Sequence, residues 1–285
     1  MLKEGPLILQ VGKLQRLKVA NIASFGVYLY AVTGKRRDNV LLPKNECPEN
    51  VQEGDELEVF VYHDSENRLI ATLKKPLAQV GELAYLKVTA KSKYGAFLDL
   101  GLERGLFLPF REQKYPLEVG KSYLVYLYLD KSGRMAATTD VYDFLRSDSP
   151  YQKNDTVTGV VYQINPQIGV FVAVDNKYAG LIPKSESYAE LKYGDRIQAR
   201  VIRVREDGKL DLSPRNPAHQ QMAVDAGLLI KAMYANGGVL PLTEKAPPEE
   251  IEKTFHMSKA AFKRAIGSLL KKGRVKKVGE EIRLP

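Results

Sequence analysis

The chain has 285 residues, a formal net charge of +9 and 44% hydrophobic residues, a composition typical of ordinary globular folding. It contains no run of 18 apolar residues that would span a membrane, and Cys47 is its single cysteine, which excludes an intramolecular disulfide. Because Met1–Pro6 lacks a secretory signal pattern, we expect a cytoplasmic protein with no membrane partner.

A short phrase occurs three times along the chain, as Phe25–Ala31, Tyr94–Leu100 and Ile168–Val174. In each copy an apolar residue precedes a glycine, a small residue, an aromatic residue and a strand-like run. A leucine- or isoleucine-containing segment with proline follows each copy, at Leu41–Lys44, Leu106–Pro109 and Leu181–Lys184. The copies begin 69 and 74 residues apart, which is the length of a small domain and too long for a solenoid unit.

Each copy predicts an all-β module. Leu57, Val59 and Val61 occupy alternate positions, which is the period of a strand with one buried face. The glycine of each phrase falls inside a strand pattern, so we expect it to mark a bulge or sharp coil at a barrel corner. About five short strands in about 70 residues predict a small closed barrel of the OB type, although periodicity alone leaves other small barrels open.

The last quarter of the chain changes to helical patterns after the proline-containing linker Ser213–Pro217. The first helix, which ends at a glycine pair, has buried positions at Met222, Ala226, Leu229, Ile230 and Met233. A second helix begins with Pro248–Lys253, and Ser258 caps a third over Lys259–Lys272. The buried face of the third helix comprises Phe262, Ala265, Ile266, Leu269 and Leu270. With a hairpin over Arg274–Leu284, these elements predict a winged helix.

The predicted fold is therefore mainly β with a C-terminal α+β module. It comprises three tandem OB-fold barrels of five strands each and a winged-helix domain. The expected boundaries are 1–75, 76–149 and 150–215 for the barrels and 216–285 for the winged helix.

Two of the copies carry a recognisable family pattern. Tyr94–Gly101, Gly105–Pro109 and Val119–Lys121 in the second copy resemble the S1-type RNA-binding domain, and the third copy is similar from Val157 to Ser213. Taken in series with the C-terminal segment, the whole chain resembles the conserved virulence factor B family of bacterial RNA-binding regulators. The resemblance implies a regulator of gene expression that acts on transcripts or on the translation and decay machinery, with single-stranded RNA as its partner.

The resemblance also implies which residues bind RNA. In the S1 pattern, two aromatic residues around the glycine stack on bases, and a basic residue before the last strand follows the phosphates. Carried over by position, these residues are Phe25, Tyr28, Arg68, Tyr94, Phe97, Arg134, Phe171 and Lys209. Because Ile168 stands where the third copy would have its first aromatic residue, we expect that barrel to bind weakly or to act as a spacer.

These residues also have a simpler interpretation. Aromatic residues of a small barrel often belong to its core, and cations beside turns are often only solvated. Phe60 and Tyr62 lie at positions matched by Tyr126 and Tyr128 in the next copy. For these four we expect burial between adjacent modules, with an extended stacking surface as the alternative.

Residues 217–285 carry 12 basic and 7 acidic side chains, which is more than half of the chain's excess positive charge. The cations expected on the third helix and at the start of the hairpin are Lys259, Lys263, Arg264, Lys271, Lys272, Arg274, Lys276 and Lys277. They would bind a nucleic-acid backbone through counterion release. Because lysine predominates, phosphate binding is favoured over base reading. Duplex DNA stays open as a partner, and simple solvation of these lysines is the alternative.

The sequence offers no constellation for catalysis. His63 belongs to the first barrel and His219 and His256 to the C-terminal module, and Cys47 has no histidine at a motif spacing, so a zinc site and a Cys–His pair are not expected. We expect no enzyme and no metal or cofactor. The alternatives to an RNA-binding protein are a protein-interaction scaffold without nucleic-acid affinity and a winged-helix DNA-binding regulator; protein partners are not predicted.

Overall fold

The computed structural model describes residues 9–30, 39–186, 190–214 and 218–285, without the side chains of residues 218–221. Met1–Pro6, on which the expected location depends, lies outside the described residues. Residues 215–217, which make up most of the predicted linker, lie outside them as well. The chain forms two compact units, Met1–Leu145 and Arg146–Pro285.

The first unit contains two five-stranded barrels. The strands of barrel 1 are β1 (Leu14–Ala23), β2 (Gly26–Leu29), β3 (Val40–Pro43), β4 (Glu56–His63) and β5 (Leu69–Thr72). They close in the order β1-β2-β3-β5-β4, with β3 and β5 parallel and the other pairs antiparallel. Alternate side chains of each strand fill the barrel, among them Val19, Leu29, Leu42 and Val61.

Barrel 2 repeats this architecture. Its strands are β6 (Leu83–Ser92), β7 (Gly95–Leu98), β8 (Leu106–Pro109), β9 (Ser122–Leu129) and β10 (Met135–Thr138). The barrel closes through a parallel contact of β8 with β10, in which Phe107 pairs with Ala136.

Barrel 3 opens the second unit. Its strands are β11 (Thr156–Asn165), β12 (Gly169–Val174), β13 (Tyr178–Pro183), β14 (Arg196–Val204) and β15 (Leu210–Ser213). They close in the order β11-β12-β13-β15-β14, the same as in barrel 1. Three closed five-stranded barrels in series confirm the predicted β architecture.

The glycine of the repeated phrase opens the second strand of each barrel, at Gly26, Gly95 and Gly169. A Cβ atom on Gly26 would lie 2.2 Å from the carbonyl oxygen of Leu42, so the neighbouring strand approaches too closely for a side chain. The register shift lies in the preceding strand instead, between Val19 and Asn21 in barrel 1 and at the matching positions of β6 and β11. The predicted bulge therefore does not lie at this glycine, which instead leaves room for the carbonyl oxygen of the next strand.

The C-terminal module has the predicted order of helices and hairpin. Its elements are α1 (Ala218–Ala235), α2 (Pro248–Phe255), α3 (Lys259–Lys271), β16 (Lys276–Val278) and β17 (Glu281–Arg283). The core joins all three helices to the hairpin and includes Met233, Ile251, Phe262, Ile266 and Ile282. The helix α2 continues past its predicted segment because Phe255 is also buried, and α3 ends one residue before the predicted Lys272. Within the described part of the chain, no helix is long and apolar enough to cross a membrane.

Candidate nucleic-acid interface

The hairpin between β1 and β2 places an aromatic pair on the surface of barrel 1. Phe25 lies in the turn, where its carbonyl oxygen accepts a hydrogen bond from the Lys44 amide at 3.0 Å. Its ring is 55% exposed and meets the half-buried ring of Tyr28 edge to face, with the centroids 6.0 Å apart. The two predicted stacking residues of this barrel are therefore adjacent and accessible.

Barrel 2 presents the equivalent pair differently. Tyr94 is 67% exposed, and the Lys93 Nζ atom lies 5.0 Å from its ring centroid, within cation–π range. Phe97 is half-buried and packs on Phe107, with the ring centroids 5.4 Å apart. The second predicted aromatic residue thus belongs to a cluster of its own, separate from the hairpin tip.

Barrel 3 has one ring at these positions. Ile168 is 49% exposed at the hairpin tip, and the half-buried Phe171 lies 6.2 Å from the buried ring of Tyr162. The aliphatic side chain offers no π face to a base, so the stacking capacity of this surface is smaller than on barrels 1 and 2.

The predicted basic residues before the last strands lie in tight turns with acidic partners. Asn67 adopts a positive φ of 63°, and the carboxylate of Asp64 accepts hydrogen bonds from the Arg68 amide at 2.9 Å and from its guanidinium at 2.8 Å. Desolvation acts to raise the pKa of Asp64, but these hydrogen bonds outweigh it and hold the pKa below its ordinary value.

A basic residue is also paired with an aspartate in the corresponding turns of the other two barrels. Arg134 lies 3.5 Å from Asp130, and Lys209 lies 3.3 Å from Asp207. Each predicted cation therefore lies on the surface in a fixed turn, with part of its field compensated by a neighbouring carboxylate.

Phe107 was not among the predicted site residues. It pairs with Phe97 across β7 and β8, where the other barrels have Leu41 opposite Tyr28 and Leu181 opposite Phe171. Aligning the prolines of Leu41–Lys44, Leu106–Pro109 and Leu181–Lys184 would have revealed this residue, because Phe107 stands where the other two segments have leucine.

Phe97 and Phe107 lie at a cavity of about 450 Å³ that residues of both barrels of the first unit line. Barrel 1 contributes Tyr62 and His63 to it, and barrel 2 contributes Tyr128. Tyr62 and Tyr128 belong to the matched aromatic pairs Phe60/Tyr62 and Tyr126/Tyr128, whereas the sequence analysis assigns His63 to no RNA site. No local sequence signal marks this cavity, because it depends on how the two barrels pack.

The other members of the matched aromatic pairs are covered within the first unit. Phe60 is fully buried and stacks on Tyr62 with the ring centroids 6.1 Å apart. Tyr126 stacks on Phe144, with the ring centroids 3.5 Å apart and the ring planes 7° apart. Phe60 therefore has no exposed ring to offer to a base, as expected from the burial interpretation.

The basic surface of the winged helix lies on α3 and the segment after it. Seven of the eight predicted cations are exposed, and Lys259 is half-buried. Lys277 forms an ion pair with Glu244 at 3.2 Å. The other exposed ones, which show no acidic partner among the described residues, are Lys263, Arg264, Lys271, Lys272, Arg274 and Lys276.

Within residues 9–30, 39–186, 190–214 and 218–285, apart from the side chains of 218–221, no group of three or more His, Cys, Asp or Glu side chains could hold a metal ion. The thiol of Cys47 instead donates to the carbonyl oxygen of Pro43 at 3.3 Å.

Comparisons with protein families cover nearly the whole chain. Residues 11–74 and 80–140 each match the S1 domain family. Residues 143–216 match the family described as virulence regulatory factor CvfB, second domain, and residues 228–284 match the CvfB-like winged helix domain. These are families of binding and regulatory domains, and the S1 matches support a general nucleic-acid-binding role.

Two curated relatives match this chain over most of their length. A Bacillus subtilis protein named uncharacterized protein YitL is 35% identical over 274 residues, or 93% of this chain and 90% of that protein. Conserved virulence factor B of Staphylococcus aureus is 29% identical over 273 residues, or 92% and 89% of the two chains. A solved crystal structure is also similar to this chain: it is of a multidomain protein with nucleic acid binding domains from Streptococcus pneumoniae. The two sequences are 26% identical, the match covers 96% of this chain and 98% of the crystallised chain, and the TM-score is 0.52.

Proposed function

Because the chain belongs to the conserved virulence factor B family, we propose that it is a non-catalytic protein that binds single-stranded RNA and regulates gene expression after transcription. The barrels hold bases by aromatic stacking, and the winged helix adds contacts to the phosphate backbone. The action takes place in the cytoplasm, on transcripts or on the machinery that translates and degrades them.

The exposure of Phe25 and Tyr94 carries this proposal. Both rings occupy the same position in consecutive barrels, and both are more than half exposed. Fully burying a large aromatic side chain is worth about 1.5–3 kcal/mol, and these partly exposed side chains forgo a share of it in the free protein. A flexible strand with accessible bases regains it by stacking, worth about 1–3 kcal/mol per base.

The contributions of the three barrels differ. Barrels 1 and 2 offer the stacking residues Phe25, Tyr28, Tyr94 and Phe97, whereas barrel 3 offers Phe171 alone. Arg68, Arg134 and Lys209 guide the phosphates from their turns, with less net charge than free cations have because of their acidic neighbours. We expect barrels 1 and 2 to supply most of the affinity.

The winged helix supports binding through charge. Its exposed cations follow α3 and the start of the hairpin, and neutralising each phosphate of a single strand makes the slope of log K against log salt steeper by about 0.7. Its lysines lack the bidentate geometry that reads bases, so we expect its contribution to be independent of sequence.

Fluorescence anisotropy of labelled single-stranded RNA over a salt series, with duplex DNA as competitor, tests the proposal. We expect Phe25→Ala/Tyr94→Ala to lose tenfold or more in affinity, as about 1–3 kcal/mol per base implies. The salt slope should persist in this variant, because the cations remain. Tyr234→Ala is the matched control, because Tyr234 is 72% exposed on α1 of the winged helix and is not among the predicted RNA-binding residues.

Two results would overturn the proposal. One is the absence of RNA binding by the wild-type protein at moderate salt, which favours the protein-interaction scaffold. The other is a preference for duplex DNA with equal binding by the folded aromatic variant, which favours a DNA-binding regulator led by the winged helix.

A further inference from the structure

A cavity of about 450 Å³ lies where barrels 1 and 2 meet. Its size falls in the range of about 300–1,000 Å³ that small-ligand sites occupy. Barrel 2 supplies the rings of Phe97, Phe107 and Tyr128, and barrel 1 supplies Tyr62 and His63 from the end of β4. The cavity therefore belongs to the pair of barrels, and the aromatic face of barrel 2 forms one part of its wall.

The two walls of the cavity are held together by contacts between the barrels. The guanidinium of Arg104, in the loop between β7 and β8, donates to the carbonyl oxygen of His63 at 3.1 Å and also to that of Asp64. Lys74, just after β5, forms an ion pair with Glu103 at 3.0 Å in the same loop. These contacts join the two walls through protein groups alone, which reduces the cost of ordering the site when a ligand binds.

The charges that line the cavity favour an anion. Arg104, Arg111 and Arg134 lie on its wall together with one acid, Asp130. Asp130 faces Arg134 and Glu112 lies 3.5 Å from Arg111, whereas Arg104 donates to backbone carbonyl groups and forms no ion pair with the described residues. Arginine forks match phosphate oxygens well, so a phosphate at this wall would be bound favourably.

His63 adds a polar group without a partner. Desolvation, followed by the positive charges of Arg104 and Arg134, lowers the pKa of His63, so its imidazole is neutral near pH 7. Its Nδ1 atom is buried and makes no hydrogen bond with the described residues. The residue itself lines the cavity, so its polar ring can face a ligand that carries a hydrogen-bonding edge.

We propose that this cavity receives a single nucleotide, with the base among the aromatic rings, its polar edge at His63 and its phosphate at the arginines. The shared chemistry is that of a nucleotide, supplied either by a strand of RNA or as a free nucleoside monophosphate. Tyr62 and His63 act here as determinants of base preference, a role separate from stacking on the surface of either barrel. Where the nucleotide is part of an RNA strand, this inference rests on the proposed function.

The test compares Tyr62→Leu and His63→Ala with wild type, after circular dichroism and thermal unfolding have shown that the variants fold. Affinities for oligo(A), oligo(C) and oligo(U) are measured by anisotropy, and those for AMP, CMP, GMP and UMP by calorimetry. Both variants should weaken binding of the preferred oligonucleotide by about fivefold or more and bring the three affinities together. Phe25→Ala is the matched control, because it should weaken all three and keep their ranking.

The outcomes separate this inference from the proposed function. RNA binding by wild type with affinities and ranking unchanged in both variants would overturn the cavity assignment alone. Binding of mononucleotides that depends on Tyr62 and His63, without RNA binding, would support the cavity with a free nucleotide as ligand and reject the RNA proposal. The third outcome is that mononucleotides fail to compete with a bound oligonucleotide and that the variants no longer rank the three oligonucleotides. This would show that the base in the cavity belongs to RNA. If Tyr62→Leu does not fold, His63→Ala decides.

Discussion

Single residues set the chemistry of the barrel surfaces through their close neighbours. Lys93 lies over the ring of Tyr94, and Phe25 stands edge to face with Tyr28, so each of these exposed rings has a neighbouring side chain in contact range. A ring held in this way loses little conformational freedom when a base stacks on it. The carboxylates in the turns also hold the basic side chains in place. They fix the position of each guanidinium and reduce the positive electrostatic field around it.

The turn of barrel 2 makes stability dependent on pH. Asp130 accepts hydrogen bonds from the Ser132 amide at 2.8 Å and the Arg134 amide at 3.1 Å. Desolvation opposes the effect, but hydrogen bonds from Ser132 and Arg134 lower the pKa of Asp130 in the folded state. Its contribution to stability is therefore present above the ordinary aspartate pKa of about 3.9 and is lost as the pH falls through the lowered value.

We expect Asp130→Ala to reduce the free energy of unfolding by about 1 kcal/mol or more at pH 7. Part of this difference should disappear at about pH 3, where the wild-type carboxylate becomes protonated in both the unfolded and, increasingly, the folded state. Urea unfolding at both values measures it, with Asp143→Ala as the control at an exposed acid of the same unit. A difference that is the same at both pH values would contradict the assigned hydrogen bonds of the carboxylate.

At the scale of elements, α3 shows how local signals position the basic surface. The Ser258 side chain accepts a hydrogen bond from the Ala261 amide at 3.2 Å, which caps the helix as predicted. Phe262, Ala265 and Ile266 are buried on one side, so Lys263 and Arg264 are exposed on the other. The cap and the buried stripe together fix which side chains face solvent.

Two substitutions on α3 should have opposite effects. Ser258→Ala removes the cap and should lower the free energy of unfolding of this module by about 1 kcal/mol. Gly267→Ala should raise it by about 1 kcal/mol, because Gly267 is exposed in the helix interior and a Cβ atom there meets nothing within 4 Å. Urea unfolding followed by circular dichroism measures both. Equal effects of the same sign would show that α3 is not stabilised by its cap and helix propensity.

The elements could be predicted from sequence wherever their determinants are local. The cap at Ser258, the alternation in β4 and the turn before Arg68 are each set by neighbours in the chain. The glycine at position 26 was assigned the wrong role because the carbonyl oxygen that it must accommodate belongs to Leu42 on the next strand. The cavity at His63 could not be predicted, because it requires the contact of Arg104 with a strand end about 40 residues earlier.

At the scale of the whole molecule, the proposed function depends on several weak sites in one chain. Each barrel surface offers one or two rings, and linking them turns the second binding event into an intramolecular one. Excess positive charge is concentrated in residues 217–285, which carry 12 basic and 7 acidic side chains. We therefore expect stacking in barrels 1 and 2 to hold the bases, while the C-terminal module contributes affinity that depends on salt.

The most direct test of this account is photo-crosslinking of the full chain to single-stranded RNA that contains 4-thiouridine, with the attached peptides identified by mass spectrometry. The account predicts crosslinks at the aromatic surfaces around Phe25 and Tyr94, which Phe25→Ala/Tyr94→Ala reduces, and fewer crosslinks at Ile168. Crosslinks confined to the winged helix, or a yield unchanged in the folded variant, would contradict RNA binding by the barrels.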